Sequence, residues 1–347
     1  MRKDNNRMEL FNKKNIYEMK TYRIDHFLFQ ISRLSIVLLF LGSFACSKAR
    51  QFDTVEFGVV SDAHLSLMHD PEKRLATFIS EMKLKNPDFI IELGDFFPPD
   101  PKFLKFYELW YEFEGEKYHV IGNHETDGGF TLEQVLESRQ MESPYYSFQK
   151  NGFHFIVLDG NNKKSPESKP YFRFIGKEQI DWLKQDLNSS KFPVVIFSHQ
   201  ELFSPEGEEG MGIENYKEIQ AIFETHNLNR PETRIIACFN GHAHFDYVEM
   251  INEIWYIHIN SMSYNWLGQD FAYNRFSEEI DRDYPYIKYT APFRDPLFAT
   301  VKISKEGYIK ISGRESEWIK PDPWELGYPE RFKRFMRPQI SDRYLEF

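Results

Sequence analysis

Five stretches of this chain place residues that can bind a metal ion or move a proton directly after an apolar run. They are Ser61-Asp62-Ala63-His64, Gly94-Asp95, Gly122-Asn123-His124-Glu125, Ser198-His199 and Gly241-His242-Ala243-His244. Carboxylate, imidazole and amide oxygen suit borderline and hard divalent ions such as zinc, manganese and iron(II). No cysteine takes part, which argues against a structural zinc site. The candidate ligands are Asp62, His64, Asp95, Asn123, His199, His242 and His244. Seven donors exceed the needs of one ion, whereas two ions sharing one carboxylate use them all. Paired metals about 3.5–4 Å apart are a known device for displacement at phosphorus. His242 and His244 are two apart, so on extended chain they point the same way and can converge on one small object.

The elements that must position these residues are readable around them. "TVEFGVV", "PDFIIEL", "KYHVI", "FPVVIF" and "TRIIACF" read as apolar strands that end just before the polar residues. "PEKRLATFISEMKL", "TLEQVLESRQM", "GKEQIDWLKQDLNSS" and "NYKEIQAIFETHN" have helical spacing, with Pro71 suited to a first turn and Thr131/Gln134 to a capping box. Strand alternating with helix predicts an α/β fold. Three further segments read as hairpins and make the sheets mixed: 144–161, turning at Asn151-Gly152, then 245–263 and 297–313. In such folds ligands bind beyond the carboxyl ends of the strands, so all five polar stretches are expected along one edge. Residues 268–295 read as a long excursion over the site, and the segment from about Pro321 as a tail wrapping the surface.

Taken in order, D-x-H, G-D, G-N-H-E, H and G-H-x-H resemble the calcineurin-like metallophosphoesterase superfamily over residues 56–262. The resemblance implies a four-layer sandwich of two mixed β-sheets flanked by helices. It implies that Asp62, His64 and His244 hold one divalent ion, that Asn123, His199 and His242 hold the other, and that Asp95 bridges them. His124 is then the catalytic residue, assisting the leaving oxygen while a hydroxide held between the metals attacks phosphorus. Pro98 stands where purple acid phosphatases carry a tyrosine after Gly-Asp, so the pattern is nearer class III cyclic-nucleotide phosphodiesterases and nucleotide pyrophosphatases. A scaffold that uses this fold without chemistry is expected to have lost ligands, and none is missing here.

Around these positions the expectations are plainer. Glu125 reads as a group orienting a neighbouring histidine or as a surface residue; His119, His154 and His258 read as packing residues. Asn260 and Tyr264 are candidates for a substrate contact.

Bulk properties bound the partners. Leu34–Ala45 is an apolar run behind basic residues, too short at about 12 residues to span a bilayer. It ends at Cys46 and resembles a bacterial lipoprotein signal, although Phe44 replaces the usual small residue. The expected organisation is a signal peptide at 1–45, a linker at 46–54, the phosphoesterase domain at 55–318 and a tail at 319–347. The expected address is a bacterial cell envelope, with membrane contact only through lipid on Cys46. With that cysteine modified, Cys238 has no partner and reads as a small core residue. Residues 1–45 carry eight Lys/Arg and four Asp/Glu, so the rest of the chain is near −14 against −10 overall. So acidic a body repels polynucleotides. Two divalent ions, two aspartates and one hydroxide leave the site at about +1, which suits a small, singly charged phosphodiester better than a phosphomonoester.

Overall fold

The computed structural model describes residues 54–168, 171–203 and 212–347. The apolar run at 34–45 and Cys46 lie outside the described residues. In chain order the first half runs β1 (Thr54–Val60), α1 (Pro71–Lys85), β2 (Phe89–Glu92), α2 (Leu104–Tyr111), β3 (Glu116–His119), α3 (Leu132–Ser138), β4 (Tyr146–Lys150) and β5 (Phe153–Leu158). It continues through α4 (Lys177–Ser189), β6 (Val194–Ser198), α5 (Tyr216–Asn229), β7 (Ile235–Asn240), β8 (Tyr247–Ile251) and β9 (Ile254–His258). Last come β10 (Tyr264–Trp266), α6 (Glu278–Asp283), β11 (Thr290–Pro292), β12 (Ala299–Ser304), β13 (Tyr308–Ser312), β14 (Arg314–Glu315), β15 (Gln339–Ile340) and β16 (Arg343–Glu346).

Two six-stranded sheets dominate, ordered β16-β13-β12-β1-β2-β3 and β4-β5-β6-β7-β9-β8. Each has a parallel centre, β1-β2-β3 in one and β5-β6-β7-β9 in the other, extended by antiparallel strands. The sheets face each other across one core in which alternate strand residues meet. Phe57 shows the arrangement. It stacks on Phe89 of its own sheet at 4.9 Å and meets Phe197 and Phe239 of the other edge-on at 5.6 Å.

The opposite face of each sheet is covered by helices. Ile90 packs with Leu75, Phe78 and Met82 of α1 and with Phe106 and Trp110 of α2. Ile156, Ile196 and Cys238 pack with Leu183 and Leu187 of α4 and with Phe223 of α5. Burial on both faces is why these strands read as unbroken apolar runs. The result is the mixed α/β sandwich of two large sheets flanked by helices.

Local chemistry sets the joints. Asn151 and Gly152 both take positive φ, 49° and 80°, as the two-residue turn between β4 and β5 requires. Thr131 and Gln134 make both bonds of the capping box on α3. The segment after residue 318 does more than wrap a surface: β16 pairs with β13 as an edge strand, and Leu345 enters the inter-sheet core. Four short alternating residues, "RYLE", gave too little signal for a strand. The excursion at 268–295 is anchored by Ile287, which packs on Met68 and Tyr264. Among the described residues no helix is long and apolar enough to cross a membrane.

Candidate metal centre

The parallel strands β1, β2, β3, β6 and β7 all end at one edge, and the loops leaving them bring the seven candidate ligands together. Ligand atoms of Asp62, His64 and His244 lie within 4.8 Å of one another, and so do those of Asp95, His199 and His242. Asn123 joins the second group, its Oδ1 lying 3.1 Å from His199 Nε2. Asp95 stands between the groups: its Oδ2 is 3.2 Å from His199 Nε2 and 3.7 Å from His64 Nε2.

The backbone is strained to achieve this. Asp62, His64, Asp95, His242 and His244 adopt φ values of 47°, 44°, 53°, 67° and 56°. Left-handed conformations cost non-glycine residues of order 1–3 kcal/mol each and gather at functional sites. Tight approach explains two glycines. A Cβ on Gly241 would overlap Ser61 Oγ and Asp62 Oδ2, and one on Gly122 would overlap the Asp95 amide and its Oδ1.

Tautomers follow from the outer hydrogen bonds. His199 Nδ1 donates to the Leu93 carbonyl at 2.8 Å, and His244 Nδ1 to the Tyr264 carbonyl at 2.9 Å. A neutral ring then carries its lone pair on Nε2, facing inward, the usual arrangement behind a metal-binding histidine. His244 Nε2 faces Asp62 Oδ1 at 3.2 Å and His64 Nε2 at 3.3 Å. Asp62 Oδ1 is buried and makes no hydrogen bond. With His244 neutral, its Nε2 lone pair faces the Asp62 carboxylate, an arrangement that a cation satisfies.

The charges agree. Burial holds His64 and His242 near 3, so both rings are neutral. Burial also pulls on His199, but Asp95 and Asp62 outweigh it and carry that ring up to about 10, so this point draws a positive charge that either a proton on Nε2 or a metal ion can supply. Burial pushes Asp62 up, and the neighbouring imidazoles of His244 and His199 together outweigh it, bringing it to about 2. The pocket holds ionised carboxylates and attracts positive charge.

His124 stands beside the two groups. Its backbone N–H donates to Asp95 Oδ1 at 2.8 Å, and its Nδ1 lies 2.7 Å from Asp127 Oδ2. Burial lowers its pKa, but Asp95 and Asp127 outweigh burial and raise it to about 9.

Several surrounding residues differ from expectation. Glu125 orients no histidine. It is fully buried, accepts from the amides of Asp95 and Phe96 at 3.2 and 2.7 Å, and pairs with Arg139. Asn260 makes no rim contact, because its amide nitrogen is spent on the carbonyls of Arg337 and Gln339. Tyr264 is buried and stacks on His64 at 5.1 Å, so it walls the site from below. His119 and His258 are buried, His119 against Glu92 and His258 against Asn240. His154 is buried too, beside Asp186. Asp127 and Arg139 carry no sequence signal of their own.

A family profile for calcineurin-like phosphoesterases matches residues 55–273. No curated protein matches the chain. Among solved structures, a dimetal phosphatase from Danio rerio is 14% identical and aligns over 76% of this chain and 98% of that one, with a TM-score of 0.55. GAP50, the anchor in the inner membrane complex of Plasmodium, is 15% identical and aligns over 83% of this chain and 89% of that one, with a TM-score of 0.49. At these identities the likeness is one of fold. The family match spans well over half of the chain, and so the chain belongs to the calcineurin-like phosphoesterases and is a metal-dependent phosphoester hydrolase.

Proposed function

We propose that the chain hydrolyses a small phosphodiester at a dinuclear centre. Asp62, His64 and His244 hold one ion, Asn123, His199 and His242 hold the other, and Asp95 lies between. The observation that carries this reading is two groups of three candidate ligands, with the buried, unbonded Asp62 Oδ1 3.2 Å from His244 Nε2. Two divalent ions would supply a water activated for attack and positive charge for the oxygens on phosphorus.

The chain's own groups do the rest. Asp127 fixes His124 through Nδ1, leaving Nε2 for the substrate. A ring with its pKa near 9 carries a proton at neutral pH and can pass it to the leaving oxygen. The left-handed backbone at five candidate ligands holds their side chains in place before any ion arrives.

Two carboxylates among the ligands leave modest excess charge on the centre, which favours a singly charged diester over a doubly charged monoester. The acidic chain supports a small substrate over a polynucleotide. The test measures kcat/KM for bis-p-nitrophenyl phosphate and p-nitrophenyl phosphate with the same metal. A clear preference for the monoester overturns the diester assignment. Identity of the metal is read from elemental analysis, with manganese, iron and zinc as candidates.

The apolar run ending at Cys46 supports an address in a bacterial envelope, anchored by lipid on that cysteine. Mass spectrometry finding unmodified Cys46 in a mature, membrane-free protein would refute the anchor.

A further inference from the structure

The aromatic contacts around the candidate metal centre form two arms that start at His64. His64 meets His124 with ring centroids 5.4 Å apart, and His124 meets Tyr171 at 4.7 Å. In the other direction His64 stacks on Tyr264, which adjoins Trp266 at 6.4 Å. Trp266 adjoins Tyr289 at 6.0 Å, and Tyr289 adjoins Tyr286 at 6.3 Å. Two arms of rings thus leave the centre, one ending at Tyr171 and the other at Tyr286.

The outer rings of both arms are open to solvent. Trp266 is 46% exposed, Tyr171 52% and Tyr286 62%. Isolated exposed aromatics need no explanation, but several grouped beside a reaction centre mark a binding surface. These rings are held by fixed backbone. β10 pairs with β11, placing Trp266 opposite Thr290. The amides of Leu267 and Gly268 both donate to the Tyr289 carbonyl, and Ile287 is buried against Met68 and Tyr264. Tyr171 sits at φ 63° with its hydroxyl donating to Asp127 at 3.2 Å. Lys288 sets its ammonium 5.2 Å from the Tyr289 ring centroid, adding a cation to the same rim.

We propose that Trp266 and Tyr286, bridged by Tyr289, form a stacking subsite for a flat, unsaturated ring on the non-reacting half of the substrate. The proposal rests on the reading above only in placing the phosphate. Aromatic faces accept any such ring, because every base has a π-face on which an aromatic side chain can stack.

The test uses the full chain loaded with Mn²⁺ and two diesters that release the same p-nitrophenolate. One is the p-nitrophenyl ester of thymidine 5′-phosphate, the other methyl p-nitrophenyl phosphate. The wild type is expected to favour the thymidine ester by at least about tenfold in kcat/KM. Trp266→Ala and Tyr286→Ala should each shrink that ratio about fivefold or more, and Tyr286→Phe should restore it. A wild-type ratio near one, or alanine variants that slow both esters alike, overturns the subsite. If neither ester is cleaved, the hydrolytic reading fails by itself, and equilibrium dialysis with thymidine 5′-phosphate decides the subsite. Binding weakened in both alanine variants sustains it; no binding, or binding the variants leave intact, overturns it.

Discussion

Nη2 of Arg139 stands 3.2 Å from Oε1 of Glu125, and both side chains are fully buried. The same nitrogen donates to the Phe97 carbonyl at 2.9 Å, and Glu125 accepts from the amides of Asp95 and Phe96. A helix-end arginine therefore clamps the turn that presents the central carboxylate. Breaking a buried pair strands the remaining charge and costs about 3–5 kcal/mol. Arg139→Met is expected to lose that much in chemical denaturation and to weaken metal binding. Adding Glu125→Gln should recover part of the stability. A single variant as stable as wild type would show that the pair contributes nothing.

How far this network was legible depends on sequence distance. The ligands stood out because strands buried on both faces read as apolar runs, against which Asp62, Asp95 and His242 are abrupt. Arg139 lies in "LESRQM", where it resembles any solvent-facing helical charge; only the tertiary fold brings it to Glu125. Left-handed backbone at His64 or His244 has no sequence signature, since neither residue prefers it. Tyr171 and Tyr286 lie in segments without periodicity. The edge strand β16 escaped because its pairing with β13 joins residues more than thirty positions apart.

The candidate ligand and the candidate acid should separate cleanly. Asp95→Asn removes charge between the two groups and is expected to lower metal content in elemental analysis, with activity falling alongside. His124→Ala should keep the metal and lose about 10²–10⁴-fold in kcat. Chelation with EDTA should abolish wild-type activity, and added metal should restore it. Loss of metal from His124→Ala would contradict its assignment as the proton donor.

Asp159 supplies a pH dependence away from the ligands. Burial raises its carboxyl from 3.8 to about 6, only partly countered by hydrogen bonds from Asn161. The folded value exceeds the unfolded one, so the native state holds the proton longer. The Asp159 contribution is therefore most favourable below pH 4, declines between about pH 4 and 6, and carries its full penalty above that, about 3 kcal/mol. Asp159→Asn keeps an oxygen for the Asn161 amide. Relative to wild type it should gain stability as pH rises from 4 to 6 and level off beyond. Urea midpoints for both proteins from pH 4 to 8 check this; a difference independent of pH would refute it.

The last strand ties the C-terminus to the loop that carries His244. Asp246, two residues after that histidine, accepts from the Ser341 amide at 3.2 Å and pairs with Arg343 at 2.8 Å. Its carboxylate also takes the Ser341 hydroxyl. Removing residues 341–347 would leave Asp246 buried without these partners and take Leu345 out of the core. Loss of one buried leucine alone costs about 2–5 kcal/mol. It would also bare the edge of β13, which invites pairing between chains. The truncated protein is therefore expected to melt well below the full chain and to self-associate in light scattering. Arg343→Ala, which keeps the strand, should cost about 1–3 kcal/mol and stay monodisperse if the full chain is. Truncation without a change in melting temperature would mean that β16 covers the sheet edge without stabilising it.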